Sequence, residues 1–278
     1  MILLVGRNGF IGRHLAAALA GRPHRLLAHD DPWAELLGPA VSCLLWCGRD
    51  PRLGTADWRR EDDLETVAAR ACADRGVPLI SLSSRKVYAP AAAPLGEGSP
   101  LGPVDRYGEQ KLALEEALEA ILGPLLTRLR LANIFGWEPG RRSFAGRMLD
   151  RLAAKGEILF DVSPFTPRDF LPVEVAAAWI LRLAEEPPGG VVNLGSGLAV
   201  PVGRMALWLI AGFGAGRLLI TDPAERDPFL LDTTRLRKLL GETIGEPEIA
   251  AACRGLGRRL ARSGPGTMPP AQPSRRGM

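Results

Sequence analysis

The chain opens with the sequence MILLVGRNGFIG, residues 1–12, in which an apolar run meets a glycine-rich turn. Residues 1–5 are the continuous apolar stretch typical of a buried parallel strand, and apolar residues recur at helical spacing from Phe10 onward. Gly6, Gly9 and Gly12 lie between these two elements. Glycines at these places allow a tight turn, a close approach of the backbone to a pyrophosphate and tight packing of helix on strand. The stretch therefore predicts a strand, turn and helix that bind a dinucleotide.

The residues expected to contact this dinucleotide lie in the turn and just after the next predicted strand, residues 25–28. The phosphates would meet free N–H groups at the positive end of the helix. Asp30 lies 18 residues beyond Gly12, where its carboxylate can accept hydrogen bonds from ribose hydroxyls and would repel a 2′-phosphate. This favours NAD, and Arg7 and Arg25 keep NADP open as the alternative. The turn contributes Gly6, Asn8, Gly9, Phe10, Ile11 and Gly12 to the candidate cofactor site.

Strands and helices alternate along the rest of the chain. The apolar patterns predict further strands at 41–47, 77–82, 125–131 and 191–194, and helices at about 58–74, 105–122, 144–155 and 173–186. This alternation predicts the α/β class, with a Rossmann-type doubly wound parallel sheet and a smaller, interleaved C-terminal substrate-binding region.

The predicted domain borders follow from the same pattern. We expect residues 1–135 and about 168–190 to form an NAD(P)-binding domain, and about 136–167 and 191–262 to form the substrate-binding region. Residues 263–278 contain four prolines and three glycines with almost no large apolar side chains, which predicts a disordered tail.

Composition narrows the classes of partner. The 278 residues carry a net charge of +4, but the arginines are spread beside acids, so we expect no nucleic acid. No run approaches the roughly 18 apolar residues of a membrane span, so we expect no membrane partner. No metal is expected either, because the four cysteines form no Cys-x-x-Cys pair and the three histidines lack zinc-ligand spacing. Reduced cysteines and a first strand that begins at Met1 indicate a cytoplasmic protein.

A second group of residues carries acid–base chemistry. Ser83 and Ser84 close the strand predicted at 77–82, and Tyr107 and Lys111 lie four residues apart on one helical face. An ammonium beside a phenol favours the phenolate, which suits Tyr107 to general acid–base catalysis. A serine hydroxyl on the neighbouring strand end could hold the substrate oxygen.

Six motifs, which occur along the chain in the same order as in one known family, resemble the motifs of that family. They are Gly-Arg-Asn-Gly-Phe-Ile-Gly (6–12), Ser-Ser-Arg-Lys-Val-Tyr (83–88), Tyr-Gly-Glu-Gln-Lys (107–111), Arg-Leu-Ala-Asn-Ile-Phe-Gly (130–136), Arg-Asp-Phe-Leu-Pro-Val (168–173) and Val-Asn-Leu-Gly-Ser-Gly (192–197). The chain is similar, up to about residue 260, to the extended short-chain dehydrogenase/reductase family and its NAD-dependent epimerase/dehydratase group.

The resemblance implies roles for individual residues. Tyr107 would be the catalytic acid/base, Lys111 would hold the nicotinamide ribose and tune Tyr107, and Ser84 would bind the reacting oxygen. Hydride would pass between the nicotinamide and a carbon of a nucleotide-linked sugar. The resemblance also places Cys47 and Gly48 against the cofactor, and Asn133 and Arg168 in the substrate pocket. For Arg226 two positions stay open, a contact with the substrate diphosphate and a solvated place on the surface. The same two alternatives stay open for Arg141 and Arg142.

Departures from the family pattern narrow the expected chemistry. Arg85 and Lys86 stand where sugar 4,6-dehydratases carry an acidic pair, which argues against a 4,6-dehydratase. The first turn is one residue shorter than usual, as in dTDP-4-keto-rhamnose reductases, and the helix near Trp58 lacks the Asn-x-x-Gly-Thr motif of many epimerases.

These features leave three predictions about function. The first is a 4-keto reductase or 4-epimerase of a nucleotide-activated sugar. The second is an enzyme for a non-nucleotide carbonyl substrate, and the third is a non-catalytic NAD(P)-binding sensor. The resemblance also implies a homodimer built from the helices near 58–74 and 105–122.

Overall fold

The computed structural model describes residues 1–263, which group into two units. The first unit comprises residues 1–132, 173–197 and 231–243, and the second comprises 133–172, 198–230 and 244–263 of the described residues. The tail expected to be disordered, 263–278, lies outside the described residues except for its first residue. Among the described helices, none combines the length and apolar character needed to cross a membrane.

The elements alternate as the sequence predicts. In chain order the strands are β1 (Ile2–Val5), β2 (His24–Leu27), β3 (Cys43–Trp46), β4 (Leu79–Ser84), β5 (Leu126–Leu131), β6 (Asn133–Phe135), β7 (Glu157–Phe160), β8 (Pro167–Arg168), β9 (Phe170–Pro172), β10 (Gly190–Leu194), β11 (Val200–Pro201) and β12 (Arg217–Ile220). The helices are α1 (Phe10–Ala18), α2 (Leu64–Ala73), α3 (Arg106–Leu122), α4 (Phe144–Lys155), α5 (Val173–Glu185), α6 (Val202–Phe213), α7 (Thr234–Leu240) and α8 (Glu246–Ser263).

The first unit is built on a six-stranded sheet in the order β10-β5-β4-β3-β1-β2, with every pair parallel. All residues of β1 and β3 are buried, as a sheet covered on both faces requires. Leu3, Leu44 and Trp46 pack in one core with residues of α2 and α3. Successive strand residues point to opposite faces, and on the other side α1 contacts β1 while α5 contacts β3. The predicted α/β class and doubly wound parallel sheet are confirmed.

One helix of the first unit begins later than predicted. Expected from about Trp58, α2 begins at Leu64 because Asp63 caps it, with its carboxylate accepting from the Glu65 N–H at 2.8 Å. The same carboxylate accepts from the Trp58 indole N–H at 2.6 Å, so the residues before Asp63 are held in a turn. The N-cap hydrogen bond of Asp63 thus sets the start of α2, although the apolar spacing before it predicts a longer helix.

Up to residue 263, the described part of the second unit contains three helices and three two-stranded sheets. Strands β6 and β9 pair parallel, as do β7 and β12, while β8 and β11 pair antiparallel. Helices α6 and α8 pack closely, since a Cβ on Gly212 would lie 2.1 Å from the Arg254 carbonyl oxygen and one on Gly257 would lie 2.2 Å from that of Leu209. Neither helix was predicted from the sequence.

Candidate active site

The glycine turn after β1 accepts only glycine at two of its positions. Gly6 has φ +93°, a left-handed conformation, and its N–H donates to the Leu27 carbonyl at 2.8 Å. A Cβ on Gly12 would lie 2.1 Å from the Gly6 oxygen, and one on Gly6 would lie 2.5 Å from the Gly48 nitrogen. The turn therefore packs directly against both the start of α1 and the backbone that follows β3.

This geometry fits a dinucleotide. The turn and the Cys47–Gly48 segment lie at the carboxyl ends of β1 and β3, the neighbouring strands at which the strand order reverses. Gly9 is the N-cap of α1 and offers no side-chain cap, and it is exposed together with Asn8. The N–H groups of the first helical turn are therefore positioned to bind an anion such as a pyrophosphate, with Phe10 and Ile11 at the helix start.

The candidate ribose-binding residue lies past the end of β2. Asp30 is exposed, whereas the neighbouring Asp31 turns back so that its carboxylate accepts from the Ala28 N–H at 2.7 Å. Arg7 donates from its guanidinium to the Leu26 carbonyl at 2.9 Å. The Asp31 carboxylate thus stabilises the turn that follows β2, and Asp30 is exposed in that same turn.

Helix α3 brings the predicted Tyr107 to the end of β4. Asp105 caps the helix by accepting from the Gly108 N–H at 2.8 Å, and it also forms an ion pair with Lys86. A Cβ on Gly108 would lie 2.4 Å from the Lys86 carbonyl oxygen, so the first turn of α3 is pressed against the residues that follow Ser84. Ser84 and Tyr107 therefore lie on elements in direct contact, as the catalytic hypothesis requires.

Lys111 is buried one helical turn further along α3. Its ammonium donates to the Leu82 carbonyl at 3.0 Å and lies 3.8 Å from a carboxylate oxygen of Glu65. Burial lowers the pKa of Lys111, but the charges of Glu65 and Tyr107 outweigh this and hold the pKa above its usual value. The Arg49 guanidinium lies 5.4 Å from the centroid of the Tyr107 ring.

Neither Arg49 nor Glu65 was predicted from the sequence as part of this site. Arg49 directly follows the Cys47–Gly48 segment, and that adjacency is the one signal that could have indicated it. Nothing in the sequence indicated Glu65, because its spacing on α2 resembles that of a surface residue. In the structure, however, its side chain is only 4% exposed.

The two serines at the end of β4 have different surroundings. Ser83 is buried and donates to Glu115, whose carboxylate forms an ion pair with Arg130 at 2.6 Å. Ser84 is partly exposed, and its hydroxyl oxygen accepts from the Lys86 N–H at 3.2 Å. Of the pair, Ser84 is the serine with access to a ligand.

The second unit has its own cavity, of about 280 Å³. Two of the predicted substrate residues line it. Arg168 donates to the backbone carbonyls of Arg226 and Asp227 at 2.9 and 3.1 Å, and Arg226 pairs with Asp222. Asn133 begins β6 and is not among the lining residues. The lining consists of Phe144, Arg147, Met148, Arg151, Ile158, Leu159, Phe160, Asp161, Val162, Arg168 and Arg226.

For two neighbouring arginines, Arg141 and Arg142, the sequence left a phosphate contact and a solvated position open. Arg141 forms an ion pair with Glu138 at 2.6 Å, and neither it nor Arg142 lines the cavity. Arg147 and Arg151 do line the cavity. They lie one and two turns into α4, where helical spacing places both on the same face. Within residues 1–263, no cluster of three or more histidine, cysteine, aspartate or glutamate side chains is arranged to hold a metal ion.

Comparison with known proteins identifies the family. The model of the NAD dependent epimerase/dehydratase family matches residues 55–195. The dTDP-6-deoxy-L-talose 4-dehydrogenase (NAD(P)(+)) of Kitasatospora kifunensis is 30% identical over 290 aligned residues, which cover 87% of this chain and 90% of that protein. This chain belongs to the NAD-dependent epimerase/dehydratase family. The resemblance stated from the six motifs is thereby confirmed, and NAD(P) is the cofactor.

Other members of the NAD-dependent epimerase/dehydratase family match parts or most of the chain. The ADP-L-glycero-D-manno-heptose-6-epimerase of Alkalilimnicola ehrlichii is 29% identical over 161 residues, or 53% of this chain and 50% of that protein. The structure of TunA, an NAD-dependent NDP-hexosamine 5,6-dehydratase of tunicamycin biosynthesis, superimposes with a TM-score of 0.77 at 25% identity, covering 94% of this chain and 97% of TunA. These relatives are named as a dehydrogenase, an epimerase and a dehydratase.

Proposed function

We propose that this enzyme transfers hydride between NAD(P) and a nucleotide-activated sugar, acting as a 4-keto reductase or a 4-epimerase. The observation that carries the proposal is the contact between the start of α3 and the end of β4, which groups Ser84, Tyr107 and Lys111 in the unit that also contains the glycine turn. Family membership supplies the cofactor.

Each of the three side chains has a task in this reaction. The Ser84 hydroxyl holds the reacting oxygen of the sugar. Tyr107 gives its hydroxyl proton to that oxygen when a carbonyl is reduced, and its phenolate takes the proton when an alcohol is oxidised. The buried Lys111 ammonium stabilises the phenolate and binds the nicotinamide ribose. NAD(P), when bound, donates or accepts the hydride.

The cavity of the second unit supports a nucleoside diphosphate as the substrate handle. Four of its lining residues are arginines (Arg147, Arg151, Arg168 and Arg226), against one aspartate, Asp161. Guanidinium groups bind phosphate oxygens in pairs of parallel hydrogen bonds. The stacked rings of Phe144 and Phe160, with centroids 5.3 Å apart, provide an apolar surface for a base. We assign Asn133 to the sugar or diphosphate as a further substrate contact.

The 4-keto reductase is the form that we favour. The relative from Kitasatospora kifunensis is a 4-dehydrogenase, the same reaction type read in the opposite direction. Lys86 stands where a 4,6-dehydratase has an acid, and the nearby Asp105 carboxylate is engaged by Lys86 and by the Gly108 N–H, which argues against elimination of water by a carboxylate there. The 4-epimerase remains the second candidate because it uses the same three side chains, and the heptose epimerase relative supports it.

The test is a turnover assay on a panel of nucleotide sugars and their 4-keto forms. The absorbance of the reduced nicotinamide is followed while the sugar products are identified by mass spectrometry and NMR. We expect consumption of NAD(P)H with a 4-keto sugar. Interconversion of sugars without net change in absorbance would establish the epimerase instead, and turnover with only non-nucleotide carbonyls would overturn the nucleotide-sugar assignment.

We also propose a homodimer formed through α2 and α3. These helices contact each other, and Val67 on α2 is an apolar side chain that remains 44% exposed. Sedimentation should give a dimer for the wild-type chain and a monomer for Val67→Glu. A monomeric wild type would contradict the assignment.

A further inference from the structure

Glu65 is a buried carboxylate that the proposed reaction does not use. Its side chain is 4% exposed, yet one of its oxygens, Oε1, has no hydrogen-bond partner. Its other oxygen, Oε2, lies 3.8 Å from the Lys111 ammonium. An ionisable group in such a position is costly to bury, so its retention in the core calls for a compensating interaction.

Lys111 supplies the charge for that interaction, while the Ser81 side chain supplies a neutral hydrogen bond to the same carboxyl group. Lys111 has an 8% exposed side chain and one hydrogen bond to a neutral acceptor, the Leu82 carbonyl oxygen at 3.0 Å. A carbonyl oxygen does not neutralise an ammonium, so the counter-charge comes from the Glu65 carboxylate, 3.8 Å away, which is ionised once the pH exceeds its raised pKa of about 7. The other titratable or charged groups around the pair are Cys47 and Arg49 after β3, Asp63 at the start of α2, and Tyr107 and Glu115 on α3.

We propose that Glu65 is a positioning residue for Lys111, with a carboxylate that keeps the buried ammonium protonated and directed at the Leu82 carbonyl. Its importance for turnover rests on the proposed function, because it acts through the lysine that serves Tyr107. Burial disfavours the charged form of a lysine, and a neutral amine would not stabilise a phenolate. Glu65 thereby widens the pH range over which Tyr107 has a cationic neighbour.

The size of the effect follows from the distance. Two unit charges 3.8 Å apart, at an effective dielectric constant of about 20, interact with a strength of roughly three pKa units. Replacing Glu65 with glutamine removes this attraction and leaves the burial penalty. We therefore expect the pKa of Lys111 to fall by at least about one unit in Glu65→Gln, and to stay closer to the wild-type value in Glu65→Asp, which keeps the charge.

The chain is well suited to a direct titration of Lys111 in the cofactor-free protein. It contains four lysines, Lys86, Lys111, Lys155 and Lys238, so their side-chain NMR signals can be resolved and the Lys111 signal assigned by its loss in Lys111→Arg. Lys155 and Lys238 are internal controls that should titrate alike in all variants. The proposal fails if Lys111 keeps its pKa in Glu65→Gln, if Glu65→Asp behaves like Glu65→Gln, or if the wild-type Lys111 titrates below the usual lysine range.

Kinetics separate this proposal from the proposed function. In Glu65→Gln the alkaline limb of the kcat profile should move to lower pH by the shift measured for Lys111, while KM for the sugar changes little. A Lys111 shift with an unmoved alkaline limb would show that Glu65 controls the lysine but not turnover, which overturns the positioning role. Full turnover by Tyr107→Phe would instead refute the proposed function and leave the Lys111 titration standing.

Discussion

The stability of the protein should fall as the pH rises through neutrality, because of Glu65. Burial raises the pKa of Glu65 from 4.5 to about 7, with the Lys111 ammonium offsetting only part of the effect. Between these two values the folded chain holds a proton that the unfolded chain has lost. The stabilising contribution of Glu65 is therefore fully present below about pH 4.5 and is lost as the pH rises through about 7.

The magnitude follows from the size of that shift. A displacement of two to three pKa units, at about 1.36 kcal/mol per unit, corresponds to about 3 kcal/mol of unfolding free energy lost between about pH 5 and pH 8. Glutamine resembles the neutral acid in shape and does not titrate. The free energy of unfolding of Glu65→Gln relative to wild type should therefore rise by about 3 kcal/mol over this range.

Urea unfolding at the two pH values measures the difference. Because both proteins are compared at the same two pH values, the difference in pH dependence reports the replacement of Glu65, together with its effect on Lys111. Glu116→Gln is the matched control, since Glu116 is exposed on α3 and its replacement should preserve the wild-type pH dependence. The reasoning is refuted if Glu65→Gln and wild type differ by the same free energy at pH 5 and pH 8.

Three further predictions test other parts of the account. Gly12→Ala places a Cβ 2.1 Å from the Gly6 oxygen, so it should destabilise the fold by about 1–3 kcal/mol, measured by denaturation, and weaken NAD(P) binding, measured by calorimetry. Unchanged affinity would contradict the assignment of the glycine turn to the cofactor. Asp30→Ala should raise kcat/KM for NADPH, relative to kcat/KM for NADH, about tenfold, because the wild-type carboxylate repels the 2′-phosphate. An unchanged ratio of the two values would show that Asp30 does not contact the ribose. Arg147→Ala should raise KM for the nucleotide sugar about tenfold or more, because it removes one charge-assisted hydrogen bond. Arg142→Ala is the control, since Arg142 lies outside the cavity and its replacement should leave KM unchanged. Equal effects of the two replacements would reject the cavity as the phosphate site.

The parts of the fold that the sequence could predict are those decided by local chemistry. The β1 strand, glycine turn and α1 follow from five apolar residues and three glycines, each of which acts on its own few neighbours. Helix α4 was predicted at its observed bounds, with Ser143 accepting from the Gly146 N–H at 2.9 Å and Gly156 ending the helix in a left-handed conformation. Caps of this kind can be read directly from residue type.

The parts that escaped prediction depend on contacts between distant segments. Helices α6 and α8 are defined against each other across more than 40 residues of sequence, as the approach of Gly212 to Arg254 illustrates. The buried position of Glu65 likewise depends on a contact between segments that are distant in sequence. Its local sequence marks it as a surface acid, and only its approach to Lys111, 46 positions further along, reveals a buried pair.

The candidate site was predictable to a similar degree. Ser84, Tyr107 and Lys111 were identified from spacing and resemblance, because helical geometry fixes the last two on one face. Of the four arginines that line the cavity, Arg168 and Arg226 were named from the sequence as candidate substrate residues. Arg147 and Arg151 were not, because only the fold decides which residues of α4 face inward.

In the proposed reaction, Tyr107 exchanges a proton with a nucleotide sugar during hydride transfer. The most direct measurement is the initial rate at which wild type and Tyr107→Phe convert the best nucleotide sugar of the panel, with both proteins shown to be folded and to bind NAD(P). A positioned acid–base group is worth about a hundred- to ten-thousandfold in rate, so the account predicts a loss of that size in the phenylalanine variant. Equal rates for the two proteins would contradict it.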